Sequence, residues 1–242
     1  MKVLLPPRED ISYIISHQIT SDVYDLIPNE LHRDDVSVFK MCTKGLSKNR
    51  NFLIQKSNAD ICIIADDDVT YTFEYIDKIK NAFIISEEVD VLIGKIFTGD
   101  NQPIYKNYPL HKGLISWLNF TKISSVEISF RRTFIQNRIY FDERFGLGAH
   151  EYPYGGEESI FISDCLKKGG KIVYIPEYVV NHPYESSRNK VINNINLILY
   201  HKALYYRIFG RFVYLIYPLL FLKNRKKYSI SFFKFLSIGF NS

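Results

Sequence analysis

The spacing of hydrophobic positions changes period several times along the chain, and each change predicts a change of element. "ISYIIS" (residues 11–16) and "VSVFKMC" (36–42) are short runs rich in β-branched and aromatic residues, and both read as strands. After the second, Gly45 loosens the backbone, Ser47 is placed to cap a helix, and helical spacing continues through "KNRNFLIQKSNA" up to Asn58 and Ala59. "DICIIA" (60–65) is a third strand that runs straight into Asp66, Asp67 and Asp68. "YIDKIKNAFIIS" then predicts a helix and "VDVLIGKIF" a strand, whereas residues 98–118 carry no assignable period. Further on, "SVEISFRR" reads as a strand, "EESIFISDCLKKGG" as a helix closed at Gly169, and "KIVYIPEYVVNHP" as a strand and turn. The repeated strand–helix–strand order predicts an α/β domain with a mainly parallel sheet flanked by helices.

Composition narrows this picture, and charge divides it. A chain of 242 residues, 46% hydrophobic, can bury one large core. Cys42, Cys62 and Cys165 lack metal-ligand spacing and read as reduced thiols of a cytoplasmic protein. "MKVLLPPRED" offers only three apolar residues before two prolines, too few for a signal peptide. Residues 1–187 hold 21 Lys and Arg against 26 Asp and Glu, a net of −5, while residues 188–242 hold ten Lys and Arg and no acid. We therefore expect a globular body over 1–187 and a basic, aromatic helical tail over 188–242. The window 203–222 is long enough to cross a bilayer but contains Arg207, Arg211 and Pro218, and each central Arg costs about 2.5–3.5 kcal/mol. Arg207 and Arg211 share one helix face and Leu204, Ile208, Phe209, Phe212 and Leu215 crowd another, as an interfacial amphipathic helix requires. "KNRKK" adds four cations, each worth about 1 kcal/mol near anionic headgroups. The tail is accordingly expected on the inner face of the cell membrane, the plain alternative being a helix that covers the domain's own core.

In open α/β sheets ligands bind beyond the carboxyl ends of strands, so the residues there are the candidates. His17 and Gln18 follow the first strand, Lys44, Arg50 and Asn51 the second, and the Asp triplet the third. In extended chain Asp66 and Asp68 project to one side and Asp67 to the other. Such a pair can share Mg²⁺ with phosphate oxygens, and Lys44 and Arg50 can hold the remaining phosphate charge. The bland reading is an acidic loop capping the helix that begins near "TFEYIDKI". A second constellation, "GAHEYPYGGEESIF", places Glu157 and Glu158 behind a glycine-rich loop at a helix start. The helix dipole alone accounts for one carboxylate there; with two, one can be held by the framework while the other serves as a general base. His182, at the end of the last strand, can complete a cation site begun by Asp68.

Taken together, "GLSKNRN", "ADICIIADDDV", "FDERFGLGAHEYPYGGEESIF" and "IPEYVVNHP" resemble, in order and spacing, the family 2 glycosyltransferases of the GT-A fold, especially bacterial capsule and exopolysaccharide enzymes. The likeness spans residues 11–182. It implies a Rossmann-like, nucleotide-sugar-binding sheet and a metal-dependent inverting transfer, with Mn²⁺ or Mg²⁺ as cofactor. The donor implied is a nucleotide sugar, a UDP-sugar by preference, and the acceptor a glycan or lipid-linked glycan of surface polysaccharide synthesis; nucleic acid is not an expected partner. By the resemblance Asp66 and Asp68 take the family's DXD positions at the ribose and the metal-diphosphate, and Arg50 matches an arginine of the helix abutting the nucleotide. Glu158 matches the usual base, Glu157 an acceptor contact or orienter, and His182 a histidine on the metal or diphosphate. The expected nucleotide-sugar contacts are thus His17, Gln18, Lys44, Arg50, Asp66 and Asp67, and the expected metal ligands Asp68, Asp66 and His182. Two departures stand out. The family's Glu-Asp pair is Glu157-Glu158 here, which leaves both as candidates for the base, and its early acid after the second strand is absent, which leaves base contacts to His17, Gln18 or Asp22. Competing readings are a haloacid-dehalogenase-like phosphatase, since "DDDVT" fits Asp-x-Asp-x-Thr with Asp66 as nucleophile and Asp68 as acid, and a non-catalytic membrane-bound scaffold. The phosphatase loop normally follows a first strand and contains Gly; this one does neither.

Overall fold

The computed structural model describes residues 2–19, 21, 25–184, 194–228 and 230–240, apart from the side chains of 217, 220, 223–227 and 238–240. Asp22 and the cations of "KNRKK" therefore lie outside what is described. The chain divides into two units, Met1–Glu185 and Ser186–Ser242, each taken by itself below.

In the first unit β1 (Tyr13–Gln18) and β2 (Val36–Met41) form a parallel pair, with Tyr13 opposite Val36 and Gln18 opposite Met41. His17 and Gln18 are thus the last two strand residues rather than the residues after it. Five more strands make a second sheet: β3 (Ile61–Ile63), β4 (Val91–Phe97), β5 (Gly113–Leu114), β6 (Ile128–Arg131) and β7 (Ile172–Asn181), in the order β3-β6-β4-β7-β5. Only β4 and β7 pair in parallel there; β6 is antiparallel to both β3 and β4, and β5 to β7. The sheet is mixed, which corrects the expectation of a mainly parallel one. The chain reaches β6 from β4 through an irregular excursion rather than a crossover helix, so nothing obliges β6 to return in the same direction.

The elements themselves follow from local chemistry. β4 and the first half of β7 are nearly continuous apolar runs buried on both faces. Helix α1 is Leu46–Lys56, and α2 (Phe73–Ile85) starts where Thr72 accepts a hydrogen bond from the Tyr75 N–H at 3.2 Å. α2 turns Ile79 and Phe83 into a core with Val69, Tyr71, Leu92, Ile96, Val126 and Val173. A single turn, α3 (Arg132–Ile135), follows β6, and α4 (Glu157–Lys167) ends at Gly169 in the left-handed region, φ +76°. Apart from β5, which pairs with β7, the patternless stretch 98–118 is anchored by side chains. Buried Glu127 accepts from the Ser124 N–H (2.7 Å), the Tyr108 hydroxyl (2.5 Å) and Lys106 Nζ (2.5 Å), and the Tyr108 oxygen accepts from the Ile96 N–H.

The second unit holds α5 (Asn194–Phe209), a 3-10 turn (Gly210–Phe212), α6 (Val213–Tyr228) and α7 (Phe232–Phe240). They meet at Ile198, Val213, Tyr228 and Phe235. A single helix across 203–222 is not found, because Gly210 takes φ +59° and ends α5. The expected apolar stripe divides at that break, with Leu204 and Ile208 buried and Phe212 and Leu215 exposed. Among the described residues no helix is long and apolar enough to cross a membrane.

One close approach supports a direct test of the sheet. A Cβ at Gly94 would lie 2.4 Å from both γ-carbons of Val179, where the β4–β7 register shifts between Ile93 and Lys95. Gly94→Ala is expected to destabilise the first unit by about 1–3 kcal/mol in urea unfolding, and adding Val179→Ala to recover part of the loss, the two changes being non-additive.

Candidate active site

Helix α1 carries its polar residues inward. Ser47, Arg50, Asn51 and Ile54, at the i, i+3, i+4, i+7 spacing of one helix face, are all buried. Arg50, 7% exposed, is the point on which the acidic segments converge. Its Nη2 donates to Asp66 Oδ1 at 3.0 Å, and its Nη1 lies 3.4 Å from Glu157 Oε1 and 4.0 Å from Glu158 Oε1. The guanidinium also sits over the Phe141 ring, 5.4 Å from its centroid, and Phe141 stacks on Phe161 of α4 at 4.3 Å. Asn51 fixes Phe141 reciprocally, donating to its carbonyl at 2.9 Å and accepting from its N–H at 2.8 Å.

The glycine-rich segment is built against the start of α1. Ser47, expected as the N-cap, lies in the first turn instead and donates to the Phe145 carbonyl at 2.7 Å, while Gly45 precedes the helix. The Leu46 N–H bonds to the Leu147 carbonyl at 2.9 Å, and Gly148 rests on Gly45. Gly146 has φ +102°, and a Cβ there would fall 2.9 Å from Glu157 Cδ and 3.1 Å from Ser47 Oγ. Only glycine allows Glu157 and Ser47 to close over that backbone. Gly156, φ +87°, then opens α4, so that Glu157 and Glu158 occupy its first turn. The two glutamates differ sharply. Glu157 is 3% exposed and its Oε2 makes no hydrogen bond, whereas Glu158 is half-buried. Burial, and next the Glu157 charge, push Glu158 up to about 7 against the opposing pull of Arg50.

The Asp triplet is not extended. Asp67 and Asp68 form a turn, so the expected alternation of side chains does not apply: Asp66 is directed to Arg50, while Asp67 and Asp68 are exposed. Thr70 and Asn181 exchange backbone hydrogen bonds of 2.9 Å each, which ties this turn to the end of β7 and sets Asp68 Oδ1 3.9 Å from His182 Nε2. The His182 Nδ1 lies 2.6 Å from the Pro183 carbonyl, an acceptor only, so Nδ1 carries the proton and Nε2 is left facing Asp68. A carboxylate oxygen and a ring nitrogen at that separation suit a cation placed between them. Among the described residues no group of three His, Cys, Asp or Glu gathers to hold a metal, and Asp66, expected as a third ligand, is committed to Arg50. The donor set therefore fits a hard cation that takes its other ligands from phosphate and water.

Of the remaining candidates, Gln18 Oε1 accepts from Asn49 Nδ2 of α1 at 3.4 Å, and His17 is its half-buried neighbour on β1. Lys44 is exposed between β2 and α1. The structure thus joins Arg50, Asp66, Glu157 and Glu158 in one cluster and Asp68 with His182 in a second, next along the same turn. Sequence reading took Ser47 only as a cap and Asn51 only as a residue beyond the second strand, and did not single out Phe141; the inward polar spacing of α1 was the signal that could have shown Ser47 and Asn51 as the frame of the first cluster.

No family model matches the chain, and no curated protein matches it. Solved structures do. S. aureus TarS 1–349 in complex with UDP-GlcNAc superposes with a TM-score of 0.58 at 14% identity, over 83% of this chain and 67% of that one. The fold is that of a GT-A glycosyltransferase. The UDP complex of the same TarS piece gives 0.51 at 18% identity over 73% and 49%, and a longer TarS chain gives 0.55 at 14% over 80% and 38%. The present chain therefore spans well under half of that longer TarS chain.

The raised Glu158 has a consequence for stability. Its folded value lies above the ordinary 4.5, so the unfolded chain loses this proton first, and stability falls as pH rises from about 4.5 to about 7, then levels. Glu158→Gln is expected to be more stable than the native chain at pH 8, by on the order of 1–3 kcal/mol, with the gap closing towards pH 4.5. Urea unfolding of both proteins across that range measures it; a gap independent of pH would remove the assignment.

Proposed function

We propose that the chain is a metal-dependent inverting glycosyltransferase of the bacterial capsule and exopolysaccharide type. It takes a sugar from a nucleotide sugar, UDP-linked by preference, to a glycan or lipid-linked acceptor at the inner face of the cell membrane. The observation that carries this reading is the convergence on Arg50 of Asp66, from the Asp triplet, with Glu157 and Glu158, from the glycine-rich segment 91 residues further on. TarS, whose fold this chain shares, has been solved with UDP-GlcNAc and with UDP. Glu158 takes the proton of the acceptor hydroxyl, whose oxygen attacks the anomeric carbon from the face opposite the nucleotide; a value of about 7 suits a base that must accept and release a proton near neutrality. Glu157, fixed between Arg50 and Gly146, orients the pair. Asp68 and His182 are the residues to hold Mn²⁺ or Mg²⁺, whose chemistry when bound is to offset charge on a diphosphate. Asp66 and Asp67 reach the nucleotide sugar, with His17, Gln18 and Lys44 along the same strand ends.

A thermal-shift screen of nucleotide sugars, each with and without Mn²⁺, tests the reading. One donor is expected to raise the melting temperature only with the metal, and Asp68→Ala to abolish that shift. Glu158→Gln is expected to keep the shift and lose at least about 100-fold in turnover. Hydrolysis of a phosphate monoester in the absence of any donor effect would instead favour the phosphatase reading.

A further inference from the structure

The second unit has a face that its own core does not use. On α6 the buried residues Val213 and Tyr228 and the half-buried Phe221 lie on one side. Leu215, Leu219 and Leu222 follow at i, i+4 and i+7 on the opposite side and are 74%, 61% and 60% exposed, and Phe212, in the turn just before, is 74% exposed. Phe233 of α7 is also exposed. Three large apolar side chains left in water along one helix, with a fourth in the turn before it, mark a docking surface rather than scattered surface residues. The row differs from the stripe expected from sequence, because Leu204 and Ile208 serve the unit's own packing.

Charge decides what covers it. Residues 188–242 contain ten Lys and Arg and no Asp or Glu. A second copy docking through the same face would bring two such cationic segments together with no carboxylate to pair them, which opposes self-association. An anionic lipid surface satisfies both halves of the pattern, since its acyl boundary receives Leu and Phe and its headgroups receive the cations. Spanning is not available to this helix: α6 has 16 residues, about 24 Å at 1.5 Å each, against roughly 30 Å of hydrocarbon, and Pro218 withholds one backbone donor in its middle. We infer that the row Phe212, Leu215, Leu219 and Leu222 lies in the interface of an anionic membrane and holds the chain there without α6 crossing the bilayer. The inference does not rest on sugar transfer, and a chain inert towards every nucleotide sugar is still expected to bind.

Flotation of the full chain with vesicles of phosphatidylglycerol and phosphatidylcholine in equal parts, beside vesicles of phosphatidylcholine alone, tests it. Binding is expected to the anionic vesicles only and to be released between about 0.1 and about 1 M salt, where the screening length shrinks from about 10 to about 3 Å. The triple variant Leu215→Ser, Leu219→Ser, Leu222→Ser keeps every charge and is expected to lose at least about tenfold in binding with its melting temperature unchanged. Should the triple variant fail to fold, Leu219→Trp serves in its place. Its fluorescence, taken as the difference from the native chain with its single tryptophan, Trp117, is expected to shift to the blue and to be quenched by brominated lipid. Equal binding to neutral vesicles, an unaltered triple variant, an unshifted Leu219→Trp, or a native dimer that the triple variant converts to monomer would each overturn the inference.

Discussion

One guanidinium against three carboxylates is the constraint around which the first unit is arranged. Arg50 is nearly inaccessible to water, and a buried cation without partners costs several kcal/mol, so the acidic segments that reach it are bound into the fold as much as into the site. The planar fork matters: separate nitrogens face Asp66 and the two glutamates, a division that a lysine's single ammonium cannot make. Phe141 and Phe161 back the fork with a dry aromatic wall, which strengthens each of these attractions and raises the cost of losing one. The cluster nevertheless holds more negative than positive charge. A proton is the simplest way to relieve the excess, and the group that takes it near neutrality is Glu158, pushed upward first by its burial and then by the neighbouring Glu157 charge.

The two glutamates are adjacent in sequence and unlike in circumstance. Glu157 is packed over Gly146, with Ser47 alongside and one oxygen turned to Arg50, so its movement is blocked by backbone. Glu158 borders the same cation at 4.0 Å without being enclosed. In the proposed mechanism the base must meet its substrate and the orienter must not move, and this difference between Glu158 and Glu157 is what supports that division of labour.

Much of this could be read from the chain, and what could not has definite physical reasons. Strands β2, β4 and β7 announce themselves because burial on one or both faces leaves β-rich runs. Asp66, Glu157, Glu158 and His182 stand out because each follows a strand or opens a helix. The direction of β6 is not written in its own residues but in the path that leads to it, which Glu127 fixes through contacts reaching 19 and 21 residues back to Tyr108 and Lys106. Helix α1 misleads for a different reason: apolar periodicity finds a buried face only when that face is apolar, and here it is Ser47, Arg50 and Asn51. The tail misleads at one residue, since Gly210 separates a stripe that looks continuous on a helical wheel.

The commitment of Arg50 also bears on which chemistry the site can serve. For a phosphatase, Asp66 would have to be a free nucleophile, yet its oxygen is held at 3.0 Å by a guanidinium that draws off the electron density an attack requires. A phosphate monoester would in addition meet a cluster with surplus negative charge. On the proposed function a nucleotide sugar would meet a divided site: its uncharged ring would suit the neighbourhood of Glu157 and Glu158, and its diphosphate would need positive charge that Arg50, already beside Asp66, Glu157 and Glu158, has little left to give. Lys44 supplies one exposed cation. Asp68 and His182, 3.9 Å apart, are the other place where the proposed function would install positive charge, which is why a divalent ion is proposed there.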